Sequence, residues 1–200
     1  MSGIVTIDHG FAAMHGRPAM YLSPVSVSAL HNFLEGYSLG RGSVSPEANN
    51  AFRLPPDFHD WVAYRLHFFG SCAGWHNMII ERFGDGPEGL EQFFALLDQH
   101  QSRLPKIVAT LAGSGKTYTT FSMSGEERSQ RLPPVVRLIS YGADDPGLFV
   151  IAEGFSHFPW GTAFCPSLSC FEEWAGPCQS ELIVQDEAAF LRWAKHQPTG

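Results

Sequence analysis

Three groups of residues in this 200-residue chain have the atoms for chemistry. Residues 110–117, TLAGSGKT, offer a glycine-rich backbone whose N–H groups can surround a phosphate, with Lys116 to reach the terminal phosphates and Thr117 to hold magnesium. His157, Cys165, Cys170 and Cys178 carry zinc-ligand atoms that short loops could gather, but their spacing contains no CxxC-like pair of the kind that builds a zinc knuckle. Cys72 with His67 or His76 supplies a nucleophile and a base, without the surrounding signature of a nucleophilic site. Nine histidines make chance pairs common, and cysteine is ordinarily a small apolar core residue. No complete catalytic set emerges, so the expectation is a non-enzymatic chain with no catalytic residue, cofactor or metal.

The carboxylates suggest binding instead. Asp144 and Asp145 fall in a turn-rich stretch, Glu172 and Glu173 precede Trp174, and Asp85, Glu88 and Glu91 gather at a helix start. Such residues could steer a basic partner, with exposed aromatics such as Trp160 and Trp174 as anchors. The expected partner-binding set is Asp144, Asp145, Trp160, Glu172, Glu173 and Trp174. Carboxylates at turns and helix starts also serve capping and solubility alone.

The elements that must position these residues fall into two textures. Residues 6–15 suit a short helix stopped by Gly16 and Pro18, and residues 19–22 suit an extended piece with Met20 and Leu22 packed beneath the next helix. Ser23 and Pro24 look like a cap and first helical residue, after which Val27, Leu30, Phe33, Leu34 and Tyr37 recur at three-to-four spacing until Gly40 and Gly42. Residues 43–56 read as a loop. Residues 58–100 read as a helical hairpin: Trp61, Tyr64 and Phe68 stripe its first arm, Leu90, Phe93, Phe94 and Leu97 its second, and residues 84–88 supply a stop at Gly84, a turn, and Pro87 near the first helical position of the second arm. Beyond residue 100 the period shortens toward two. Strands are expected at 106–111 and 117–123 around a hairpin tip at 112–116, at 135–141 and 148–153 around a turn at 142–147, and at 181–185. A polar segment at 124–131, a short helix at 168–174 and a terminal helix after Asp186 complete the reading. Helices first and strands second make an α+β fold, a helical region (1–102) packed on a mainly antiparallel sheet with a C-terminal helix (103–200), in a single domain.

Composition limits the partners. A chain with 44% hydrophobic and 16% charged residues can bury a substantial core. Its net charge of −7 disfavours nucleic acid and anionic membrane surfaces, which need clustered Lys and Arg, and favours a basic protein. Four cysteines without a dense framework, and no basic-then-apolar leader at the start, suggest the cytoplasm. Residues 63–80, the most apolar window, contain Arg65, His67 and His76, so no membrane span is expected.

Three resemblances bear on function. Residues 110–117 resemble the phosphate-binding loop of helicase-type ATPases, with Thr110 where the first glycine usually stands. This is the alternative function: a nucleotide-binding regulator or enzyme using residues 113–117. Residues 17–22, RPAMYL, are similar to a stretch of the gyrase B subunit, but the next helix keeps Glu35 without the Asn-Asp context that follows there. The same segment, with LHNFLEGY at 30–37, the aromatic stretch 61–80 and FFALLD at 93–98, resembles immunity proteins of polymorphic or contact-delivered toxin systems. That resemblance covers about half the chain and rests on structural residues. It implies inhibition of a cognate toxin by direct binding and carries over no catalytic residue.

Overall fold

The computed structural model describes residues 9–42, 51–69, 73–105, 107–112, 117–121, 127–142, 145–152, 155, 158–161, 163–175 and 180–184. The fold is α+β, and the chain divides into two compact units, Met1–Val62 with Cys72–Gln101, and Ala63–Ser71 with Ser102–Gly200.

The first unit is helical. Helix α1 (His9–Gly16) buries Phe11 and Met14, three residues apart, and ends where Gly16 and Pro18 forbid continuation. Pro18–Met20 then forms a 3-10 turn in place of the expected extended piece: the Met20 and Tyr21 N–H groups return to the Arg17 and Pro18 carbonyls. Helix α2 (Val27–Gly42) starts three residues later than the Ser23-Pro24 signal suggested. Ser26 is the effective cap, its Oγ accepting the Ala29 N–H at 3.1 Å, while the Asp85 carbonyl and Oδ1 accept the Val27 and Ser28 N–H groups at 3.0 and 2.7 Å. Val27, Leu30 and Leu34 form its buried stripe.

The expected hairpin arm at 58–80 is two helices. Helix α3 (Phe58–Leu66) buries Trp61 and Tyr64, but His67 turns left-handed (φ 63°) and the Phe68 N–H reaches back to the Ala63 carbonyl, closing the helix before the stripe reaches Phe68. Helix α4 (Trp75–Phe83) follows, capped at its end by Gly84 at φ 84°. Helix α5 (Pro87–Ser102) begins on the expected proline and buries Leu90, Phe93, Phe94 and Leu97 as its spacing required. The Trp61 indole N–H donates to the Leu96 carbonyl at 3.2 Å, satisfying a buried donor.

The second unit holds the strands β1 (Ile107–Ala112), β2 (Thr117–Phe121), β3 (Glu127–Arg131), β4 (Val135–Ser140), β5 (Leu148–Ile151), β6 (Phe164–Cys165) and β7 (Ser180–Val184), with helix α6 (Leu168–Ala175). The five-stranded sheet has the order β6-β5-β4-β1-β7 and is antiparallel throughout, Ala109 standing opposite Leu138 on one side and Leu182 on the other. The expected hairpin across residues 112–116 does not form. β1 takes β4 and β7 as neighbours, and β2 pairs instead with β3 in a separate ribbon, Thr117 opposite Arg131. β3 lies in the stretch read as a polar connection; it has no apolar alternation because Glu127, Ser129 and Arg131 are all exposed.

Within this unit, side chains pack on both faces of β4 and β5. Val136, Leu138 and Val150 join Phe158, Phe171 and Ala175 in one cluster. Phe149, paired with Ile139, meets the Tyr64 ring edge-on at 5.4 Å on the opposite face. The expected terminal helix after Asp186 lies outside the described residues.

Candidate functional site

Among the described residues of the first unit, the turn after α1 and helix α2 build a group of aromatic and flexible apolar side chains that reaches the surface. Leu22 is buried and anchors the turn, which leaves Met20 and Tyr21 72% and 37% exposed. Met20 therefore points outward, where the sequence placed it beneath the helix. On α2, Phe33 and Tyr37 are one turn apart on the flank of the buried stripe, and both remain half-buried. Phe52 sits among them edge-on, 6.0 Å from Tyr21, 5.0 Å from Phe33 and 5.4 Å from Tyr37. The result is an aromatic shelf held by its own ring contacts and carrying an adaptable thioether at its rim. That combination suits a protein surface: aromatic rings contribute area at little entropic cost, and methionine adapts to irregular partners.

The partner-binding residues expected from sequence are scattered. Asp144 lies outside the described residues. The Asp145 side chain is 6% exposed and works inside its own turn, accepting from the Arg65 guanidinium at 3.2 Å, the Ser140 hydroxyl at 3.3 Å, and the Tyr141 and Gly142 N–H groups. It has no open face to offer a partner, because the turn it closes leaves two N–H groups in need of an acceptor. Trp160 and Trp174 do come together, rings edge-on at 5.7 Å, and Tyr118 stacks on Trp174 at 4.4 Å. Both indoles are half-buried against the Phe158 and Phe171 cluster, so they serve packing. Glu173 is on the solvent side of α6, while Glu172 and Trp174 stand two residues apart and about 200° around the helix, on opposite flanks.

Of the chemistry-bearing positions, Cys72, Gly113, Ser114, Gly115, Lys116, His157 and Cys178 lie outside the described residues. Thr117 opens strand β2, where a phosphate-binding loop needs the N-terminus of a helix. The Cys165 thiol is buried and donates to the Ser167 carbonyl at 3.1 Å; burial pushes its pKa up to about 11, which makes it a poor nucleophile. Among the described residues no three His, Cys, Asp or Glu side chains gather as a metal site.

Two histidine arrangements were not foreseen. His100 is buried beneath Phe58 and Trp61, its Nε2 2.9 Å from the Asp57 carboxylate. His31 on α2 and His76 on α4 stack with ring centroids 3.7 Å apart. Their separation of 45 positions left nothing in the sequence to pair them.

No family model, curated protein or solved structure matches the chain. Among the described residues no helix is long and apolar enough to cross a membrane.

Proposed function

We propose that this chain is a non-enzymatic, cytoplasmic immunity-type protein that neutralises a cognate basic toxin by direct contact, with the Met20 and Tyr21 shelf as the contact surface. The observation that carries the reading is the shelf itself: Tyr21 meets Phe33 at 6.5 Å, edge-on, so the RPAMYL and LHNFLEGY segments that resemble immunity proteins converge on one aromatic surface whose Met20 and Tyr21 rim is exposed. The net charge of −7 supports a basic partner through long-range steering, and the exposed aromatic and thioether groups supply the anchors. Neutralisation then needs only that the bound chain cover the toxin's site.

The test is capture by tagged full-length chain from its native cytosol at low and high salt, alongside a Tyr21→Ala chain. The reading expects one near-stoichiometric basic protein that is toxic when produced without this chain and is lost from the variant. Recovery of the chain alone, or of a partner that is harmless by itself, overturns it.

A further inference from the structure

We infer that the stacked pair His31 and His76 is an acid-sensitive latch between α2 and α4, closed while at most one of the two rings carries a proton and opened by the second. The rings face each other at 3.7 Å and 29°, and Trp75 closes one side of the pair, 5.8 Å from His31 and 5.7 Å from His76. Two imidazolium rings at this distance repel.

The two rings are not equivalent. His31 lies one turn before Glu35, its Nε2 3.9 Å from that carboxylate. His76 is the second residue of α4, at the end of the helix where the backbone dipole already disfavours a cation. Its Nδ1 is buried with no hydrogen-bond partner, so the cationic ring holds an N–H there without an acceptor. Among the described residues, the charged and titratable groups that act on His76 are His31 and Glu35 from α2 and Asp85 from the turn after α4. Burial and then His31 hold the His76 pKa below its ordinary 6.5, against the weaker pull of Glu35 and Asp85. The folded chain therefore refuses a proton that the unfolded chain accepts. The latch is fully closed above about pH 6.5 and weakens as pH falls below that value.

The experiment follows the histidine ring resonances and backbone amide protection of isotopically labelled full-length chain from pH 8 to 4, with circular dichroism to report global folding. The latch predicts that His76 titrates below the ordinary histidine value of 6.5. It also predicts that amides at 28–31 and 76–79 lose about tenfold in protection over the same interval, while those of α5 keep theirs. In His31→Gln the His76 midpoint should rise and the selective loss of protection disappear. His76 titrating at or above the ordinary histidine range, or protection at 28–31 unchanged through its titration, overturns the latch. The wild-type titration decides alone should His31→Gln fail to fold.

Discussion

The Asp85 carboxylate accepts a 2.7 Å hydrogen bond from the Ser28 N–H, joining residues 57 positions apart in sequence. The α2 N-terminus thus has a cap in its own strand of sequence, Ser26, and a second one lent by the turn between α4 and α5. Asp85→Ala removes an ionised acceptor from the positive end of a helix. The expected cost is about 1 kcal/mol, seen as a lower urea midpoint with unchanged slope. An equal midpoint in wild type and variant would mean that Ser26 alone holds the helix start.

Gly89 sits in the first turn of α5, where a Cβ would stand 2.0 Å from the Gly84 carbonyl oxygen and 3.0 Å from a Val27 methyl group. Alanine would gain about 1 kcal/mol of helix propensity. Overpacking against backbone costs about 1–3 kcal/mol, and the closest atom here belongs to a peptide that cannot rotate away. Gly89→Ala should therefore lower the thermal midpoint by several degrees, where propensity alone would raise it.

These same residues show what a sequence can and cannot reveal. The stop at Gly84 and the start at Pro87 were legible because each is a local signal acting on its own backbone. The α5 stripe and strands β4 and β5 were legible because one face, or both, is buried. The start of α2 is not legible in the sequence because Ser26 and Asp85, rather than Ser23, satisfy its N–H groups, and Asp85 is remote in sequence. The hairpin at 112–116 was misread because two adjacent strand-like segments pair locally by default, while β1 finds both neighbours far along the chain. β3 left no apolar trace. The site was less legible than the fold: Asp145 has the same letter whether it closes a turn or faces a partner, and Met20 gives no hint that Leu22, two residues on, takes the buried position.

Tyr64 makes the second unit sensitive to alkali. Its buried hydroxyl donates to the Gly147 carbonyl at 2.9 Å, and burial followed by the nearby Asp145 carboxylate drives its pKa well above the usual 10.0. A phenol held protonated in the fold adds stability that is complete below pH 10 and is lost as pH rises beyond it, because the unfolded chain releases the proton first. Tyr64→Phe should cost about 1 kcal/mol at neutral pH and should flatten the decline between pH 9.5 and 11.5 relative to wild type, as read by urea midpoints. A parallel decline in both chains would assign the alkaline loss to other groups.

The shelf and the tryptophan cluster make opposite predictions, and together they separate binding from packing. Trp174 touches Tyr118, Phe155, Phe158, Trp160 and Phe171, so Trp174→Ala leaves a void in the second unit and should cost about 3 kcal/mol of stability. Met20 is 72% exposed, so Met20→Ala should change stability by less than about 0.5 kcal/mol. Tyr21→Ala loses edge contacts to Phe33 and Phe52 and should cost about 1 kcal/mol. Against the captured partner Trp174 moves from first to last. Tyr21→Ala should weaken binding by about 2 kcal/mol, roughly 30-fold in Kd, and Met20→Ala by a smaller factor. Trp174→Ala, measured at a temperature where it remains folded, should leave Kd unchanged. Titration calorimetry on the three variants decides the matter: a large loss of affinity in Trp174→Ala with none in Tyr21→Ala would move the contact surface from the shelf to α6.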